Sequence, residues 1–239
     1  MTRARWVMVA AALIHLFAFL AMLCRIEPIY THFYSIAWWT YIVFISGFNY
    51  RRGNSYLMGK PREFGWLFLF SVPTWLFFEV YNFRLENWRY LIGVPEEIYI
   101  RWRGYVVAYG TVLPALFETE RLLRNLGLVQ ASLKRPTRVS RGLLNRLFLL
   151  GCLVMLSVLV KPGFLFPLVW IGLIFLPDPL VYRFEPESSV LGRAEKGRYG
   201  LIMRLMLAGL LCGFLWEFWD YWSGAKWSTP FPTSTPGRC

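Results

Sequence analysis

The chain has 239 residues, of which 56% are hydrophobic, 19% aromatic and 17% charged, and it carries a formal net charge of +12. That balance excludes an ordinary water-soluble domain and places the chain in a membrane. The positive excess does not call for nucleic acid as a partner, because the Lys and Arg residues sit in short loops between apolar runs, as cytoplasmic loops of membrane proteins do.

Against the ~20 apolar residues that cross a bilayer, seven helices are expected, over residues 6–24, 30–50, 64–83, 98–117, 143–160, 164–177 and 201–222. The first follows Arg3 and Arg5 as a secretory signal would. It is long for a signal core, however, and has no small-x-small cleavage site, so a retained helix is expected. Pro73 and Pro114 should kink the third and fourth helices. Pro95-Glu96-Glu97 reads as a helix start that places Ile98, Tyr99, Trp102, Tyr105 and Val106 on one face, as an interfacial anchor or a lid. The sixth helix is short and surrounded by Pro162, Pro167 and Pro177, which leaves a tilted or re-entrant segment as the alternative. Arg204, near the cytoplasmic end of the seventh, is expected to snorkel to the surface.

With the N-terminus in the cytoplasm, 17 of the 26 Lys and Arg residues fall on the inner side. The expected location is therefore the cell membrane, multi-pass, with the N-terminus inside and the C-terminus outside. The basic loop from Arg121 to Arg146 should lie against anionic headgroups.

Two stretches of the chain echo each other. Trp38 precedes Tyr50-Arg51 by twelve positions and Trp170 precedes Tyr182-Arg183 by the same number. Each pair is followed by a polar loop with Ser-x-Leu (Ser55 and Leu57; Ser189 and Leu191) and then by an apolar helix that ends in a glutamate, and Pro28 and Pro162 stand upstream in the two copies. An all-α polytopic bundle with a partial parallel internal duplication follows. Its parts are a first four-helix repeat at 1–117, a basic cytoplasmic linker at 118–142, an incomplete three-helix repeat at 143–227 and a Ser/Thr/Pro tail at 228–239. The tail stands where the fourth helix of the second copy is expected, as in a shortened eight-helix design.

The candidate site lies where the echo ends. Glu79 and Asn82 are three residues apart, as are Glu217 and Asp220, so each pair shares a helix face. Carboxylates in an apolar helix are functional candidates because they are costly without a partner or a wet cavity. Glu79 and Glu217 are the catalytic candidates, two carboxylates able to divide acid and base roles. Asn82, Asp220, Trp75, Trp88, Trp216 and Trp219 are the ligand-binding candidates. The rings at this level form either an interfacial belt or a π-lined cavity for an unsaturated ligand.

No metal site is expected, since Cys24, Cys152, Cys212 and Cys239 show no ligand spacing and His15 and His32 stand alone. Nor is a cofactor, because there is no Gly-rich phosphate loop and no HExxH. In composition the chain resembles the small membrane-embedded carotenoid cyclases, whose doubled glutamate after a proline has a counterpart at Pro95-Glu96-Glu97. That resemblance implies no role for these residues, which lie outside the expected helices. The function expected is the binding or modification of a lipid or isoprenoid in an outward-facing aromatic-lined cavity. The alternative is a non-enzymatic membrane component, a small transporter or a scaffold subunit. Expected partners are membrane lipids, a hydrophobic small molecule, and a membrane protein or a second copy of the chain.

Overall fold

The computed structural model describes residues 2–92, 97–130 and 138–228, and it is almost entirely helical. The helix start at Pro95-Glu96, part of the basic linker and the tail after Ser228 lie outside the described residues. The helices run in the order α1 (Thr2–Leu23), α2 (Ile29–Arg51), α3 (Pro61–Leu85), α4 (Ile98–Tyr109), α5 (Val112–Asn125), α6 (Arg141–Val160), α7 (Pro162–Leu165), α8 (Leu168–Phe175), α9 (Asp178–Phe184), α10 (Val190–Glu195) and α11 (Gly200–Trp222). Two short strands, β1 (Arg89–Ile92) and β2 (Lys226–Ser228), pair with each other. Four helices, α1, α3, α6 and α11, are long and apolar enough to cross a membrane. The 23 residues of α2 would also reach across, but its tyrosines, tryptophans and polar side chains lower its hydropathy. Outward residues such as Leu13 and Phe17 on α1, Leu153 and Leu156 on α6, and Leu210 and Phe214 on α11 remain exposed, as apolar helices do when their outer faces meet lipid.

The chain forms two compact units. The first comprises residues 1–79, 90–129 and 204–228, and α2 is its centre. Small residues line the α1 face against it: Ala4, Ala11, Ala18 and Ala21 are all buried. At Gly47 a Cβ would lie 2.5 Å from Cγ of Met8, so glycine lets the two backbones approach. Phe33, Ala37, Trp38 and Ile42 continue the core and gather Phe64 of α3, Ala115 of α5 and Trp219 of α11. His15 packs here as well, its Nδ1 2.8 Å from the Thr40 hydroxyl. That hydroxyl also lies 2.8 Å from the Ile36 carbonyl and 3.0 Å from the Ala37 carbonyl, one turn back on α2.

The expected fourth helix is two. The chain breaks after Tyr109, and Pro114 is not a mid-helix kink but the third residue of α5. Proline fits a first turn, where its missing N–H has no helical partner to lose. Ser71 of α3 repairs the break, donating to the Tyr109 carbonyl at 2.5 Å and accepting the Leu113 N–H at 3.0 Å. Upstream, Ile98, Tyr99, Trp102 and Val106 of α4 are exposed, but so are Ile100 and Val107, and Tyr105 of the expected face is half-buried, stacked on Tyr109.

In the second unit, whose described residues are 80–89, 130 and 138–203, α6 packs on α8 through glycines. A Cβ at Gly151 would lie 2.6 Å from the Leu176 nitrogen, and one at Gly172 would lie 2.6 Å from Sδ of Met155. The segment expected as the sixth helix, 164–177, falls on the end of α7 and on α8, with α9 following it, and none of the three is longer than 8 residues. At 1.5 Å per residue, no single one of them crosses a bilayer.

Candidate functional site

Glu79 sits near the end of α3, with Trp75 one turn before it. Three donors converge on its Oε1: the Trp75 indole at 2.9 Å, the Tyr90 hydroxyl at 2.5 Å and the Tyr109 hydroxyl at 3.2 Å. The donors come from α3 itself, from β1 and from the end of α4, so the break after Tyr109 and the pairing of β1 with β2 both serve to fix the cluster. The Tyr90 and Tyr109 hydroxyls are 3.1 Å apart. Burial, and then the neighbouring Glu79 carboxylate, hold the Tyr90 hydroxyl above the ordinary tyrosine range.

Rings extend from this carboxylate in one connected series. Tyr109 stacks on Tyr105 with centroids 5.3 Å apart, and Trp75 lies 4.8 Å from Trp216 of α11. Trp216 meets Tyr34 at 5.6 Å, and Trp38 meets Trp219 edge-on at 4.8 Å. The first unit thus brings Glu79, Trp75, Trp216 and Trp219 into one aromatic cluster. Inside it, the Tyr34 hydroxyl and the Trp38 indole N–H are buried beside each other, and neither makes a hydrogen bond of good geometry among the described residues. Trp38 is only 2% exposed.

The other expected residues have different places. Glu217 is exposed on α11 and makes no hydrogen bond among the described residues. Asp220 is buried, and its Oδ1 accepts the Trp227 backbone N–H at 3.3 Å. Asn82 belongs to the second unit, where its side chain accepts from the Asn87 and Trp88 N–H groups and donates to the Trp88 carbonyl at 2.8 Å. Trp88 is buried with its ring 6.0 Å from Phe166. Asn82 and Asp220 therefore act alike: each captures the backbone of a tryptophan in the return segment and turns the chain out of its helix toward β1 or β2. The shared pattern of Glu, polar residue and Trp has a local physical reason in these two turns.

A second polar centre, which the sequence reading missed, lies in the first unit. Glu118 is fully buried, and its carboxylate accepts from Asn49 Nδ2 at 2.7 Å, from the Tyr56 and Leu57 N–H groups at 2.9 Å each, and from the Ser55 hydroxyl at 3.2 Å. Around it, Arg121 covers the Tyr56 ring at 3.2 Å, and Arg204 Nε meets Glu120 Oε1 at 2.7 Å. Two expectations are corrected here. Arg204 does not snorkel, because α5 continues through Asn125 and brings Glu120 to it. Arg121 is buried against Tyr56 rather than lying in a surface loop. The signal available was the helical phase of Ala115, Glu118, Thr119 and Leu122, which runs past Phe117 without interruption.

The two Ser-x-Leu loops share this device. Ser189 caps α10 by accepting from Gly192 N at 2.8 Å, while Asp178 takes the Val190 and Leu191 N–H groups at 2.7 and 3.0 Å. In the first loop Ser55 accepts from Met58 N at 3.2 Å while Glu118 takes the amides. The carboxylate comes from different places, however. Asp178 stands eight residues after Trp170, and Ser46, eight residues after Trp38, instead bonds the Ser55 hydroxyl at 2.7 Å.

No group of three or more His, Cys, Asp or Glu side chains that could hold a metal occurs among the described residues. No family model matches the sequence, and neither a curated protein nor a solved structure shows significant similarity to it.

Proposed function

We propose that this is a multi-pass membrane protein whose first unit binds an amphipathic lipid or isoprenoid in the aromatic cluster. The observation that carries the reading is a pair of neighbouring buried polar atoms, Tyr34 Oη and Trp38 Nε1, that sit among apolar rings and make no hydrogen bond of good geometry among the described residues. Buried polar atoms without partners are rare and call for an explanation such as a bound group. A carbonyl, hydroxyl or phosphate oxygen of a ligand would satisfy both, while its apolar body packs against Trp216 and Trp75. Glu79, already an acceptor from three donors, anchors the rings rather than the ligand. If a chemical step follows binding, the Glu79, Tyr90 and Tyr109 group is where a proton would be exchanged.

Tyr34→Phe separates this reading from a purely structural one. Its hydroxyl makes no hydrogen bond of good geometry among the described residues, so the ligand-free protein should nearly keep its melting temperature. Affinity for the retained ligand should fall roughly 5- to 30-fold, the range for a hydrogen bond of about 1–2 kcal/mol. Equal affinity in the two proteins would overturn the reading.

A second reading, a non-enzymatic scaffold or small transporter, draws on Asn82 and Asp220, whose polar atoms are engaged in turns. It predicts no distinct bound molecule and no effect of Tyr34→Phe.

A further inference from the structure

A groove of about 390 Å³ opens beside the contact between α1 and α2, away from the aromatic cluster, and is lined by Arg5, Met8, Val9, Ala12, Phe44 and Arg51. Its composition is two-sided: two guanidinium groups and four apolar side chains, with no carboxylate. Neither arginine has an ion pair or hydrogen bond among the described residues, whereas the adjacent Arg52 is turned over the Phe48 ring at 5.6 Å. Arg5 belongs to the first turn of α1, where the helix dipole adds to its positive charge. Arg51 is the last residue of α2, and both fall on the side that the Lys and Arg distribution assigns to the cytoplasm.

We infer that this groove holds one anionic phospholipid, its phosphate between Arg5 and Arg51 and an acyl chain along Val9, Ala12 and Phe44. A free anion would use the arginines and leave the apolar wall without a role. A neutral lipid would use the wall and leave two charges without counter-ions. Basic pockets between membrane helices on the cytoplasmic side suit anionic headgroups for this reason.

The test is the affinity of the full chain, in phosphatidylcholine nanodiscs, for a fluorescent phosphatidylglycerol. Each arginine near such a headgroup contributes roughly a fivefold factor, so Arg5→Gln with Arg51→Gln should weaken binding about 30-fold. A charge-matched control, Arg62→Gln with Arg141→Gln, should stay within about twofold of the parent. Ala12→Phe, which keeps both charges and fills the apolar end, should also weaken binding. The inference is overturned if the control loses as much affinity as the groove variant, which would indicate diffuse surface attraction. It is equally overturned if inorganic phosphate displaces the probe as well as phosphatidylglycerol does, or if Ala12→Phe binds like the parent.

Discussion

Replacing Glu118 by alanine should be among the most damaging single changes in the first unit. The carboxylate is completely buried and receives two backbone N–H groups and two side-chain donors. Ser55 keeps its contact with Ser46 and Asn49 keeps the Glu118 carbonyl, so those two donors are partly compensated. The Tyr56 and Leu57 N–H groups are not, and each orphaned buried donor costs roughly 1–3 kcal/mol. With the lost packing of the side chain, a destabilisation of about 4 kcal/mol is expected, or roughly 10 °C in melting temperature for a chain of this size. Thermal unfolding in detergent, followed by tryptophan fluorescence, measures it. Glu217→Ala serves as the control, since that carboxylate is exposed and unbonded and its loss should change stability by less than about 0.5 kcal/mol. If Glu118→Ala melts within two or three degrees of the parent (~1 kcal/mol), or if Glu217→Ala is equally harmful, the loop is not held as described.

Three further outcomes follow from the same contacts. Arg204→Met leaves Glu120 buried without its partner and should cost about 3–5 kcal/mol, while adding Glu120→Gln should recover much of the loss, as a double-mutant cycle of unfolding would show. Ser71→Ala removes the bridge across the break between α4 and α5 and should cost roughly 1–3 kcal/mol, read by the same melting assay. The raised Tyr90 hydroxyl keeps its proton in the folded state at a pH where the unfolded chain loses it. Its stabilising contribution is therefore full below about pH 10 and is lost as pH rises from there. Tyr90→Phe should show a shallower alkaline decline in melting temperature than the parent.

Much of the architecture was legible because apolar runs of membrane length leave little choice of structure. α1, α2, α3, α6 and α11 begin and end within a few residues of the expected helices. The prolines were visible too, but their effect depends on neighbours: Pro73 stays inside α3, whereas Pro114 starts a new helix because Ser71 is there to bond the freed groups. Glu118 was lost to the reading for a related reason. A sequence of charged residues after an apolar run reads as a loop, and only tertiary partners such as Asn49 and the Ser55 loop turn that polar stretch into a buried helix face. At the candidate site, Glu79 was recognisable as a carboxylate out of place in an apolar helix. Its donors Tyr90 and Tyr109 were not, since pairing between β1 and β2 and the break in the fourth helix bring them there. Tyr34 carries no signal in the sequence, and Trp38 marks only the echo; what sets the two apart is that neither makes a hydrogen bond of good geometry among the described residues.

A lipid or isoprenoid held by its polar oxygen in the aromatic cluster of the first unit should stay with the protein through mild extraction. Mass spectrometry of the molecules that remain with the gently extracted protein, compared between the parent and Tyr34→Phe, tests it most directly. One distinct amphipathic molecule is expected in stoichiometric amount with the parent, and its depletion is expected from an equally folded Tyr34→Phe. The same bulk phospholipid, in the same amount, from both proteins would contradict it.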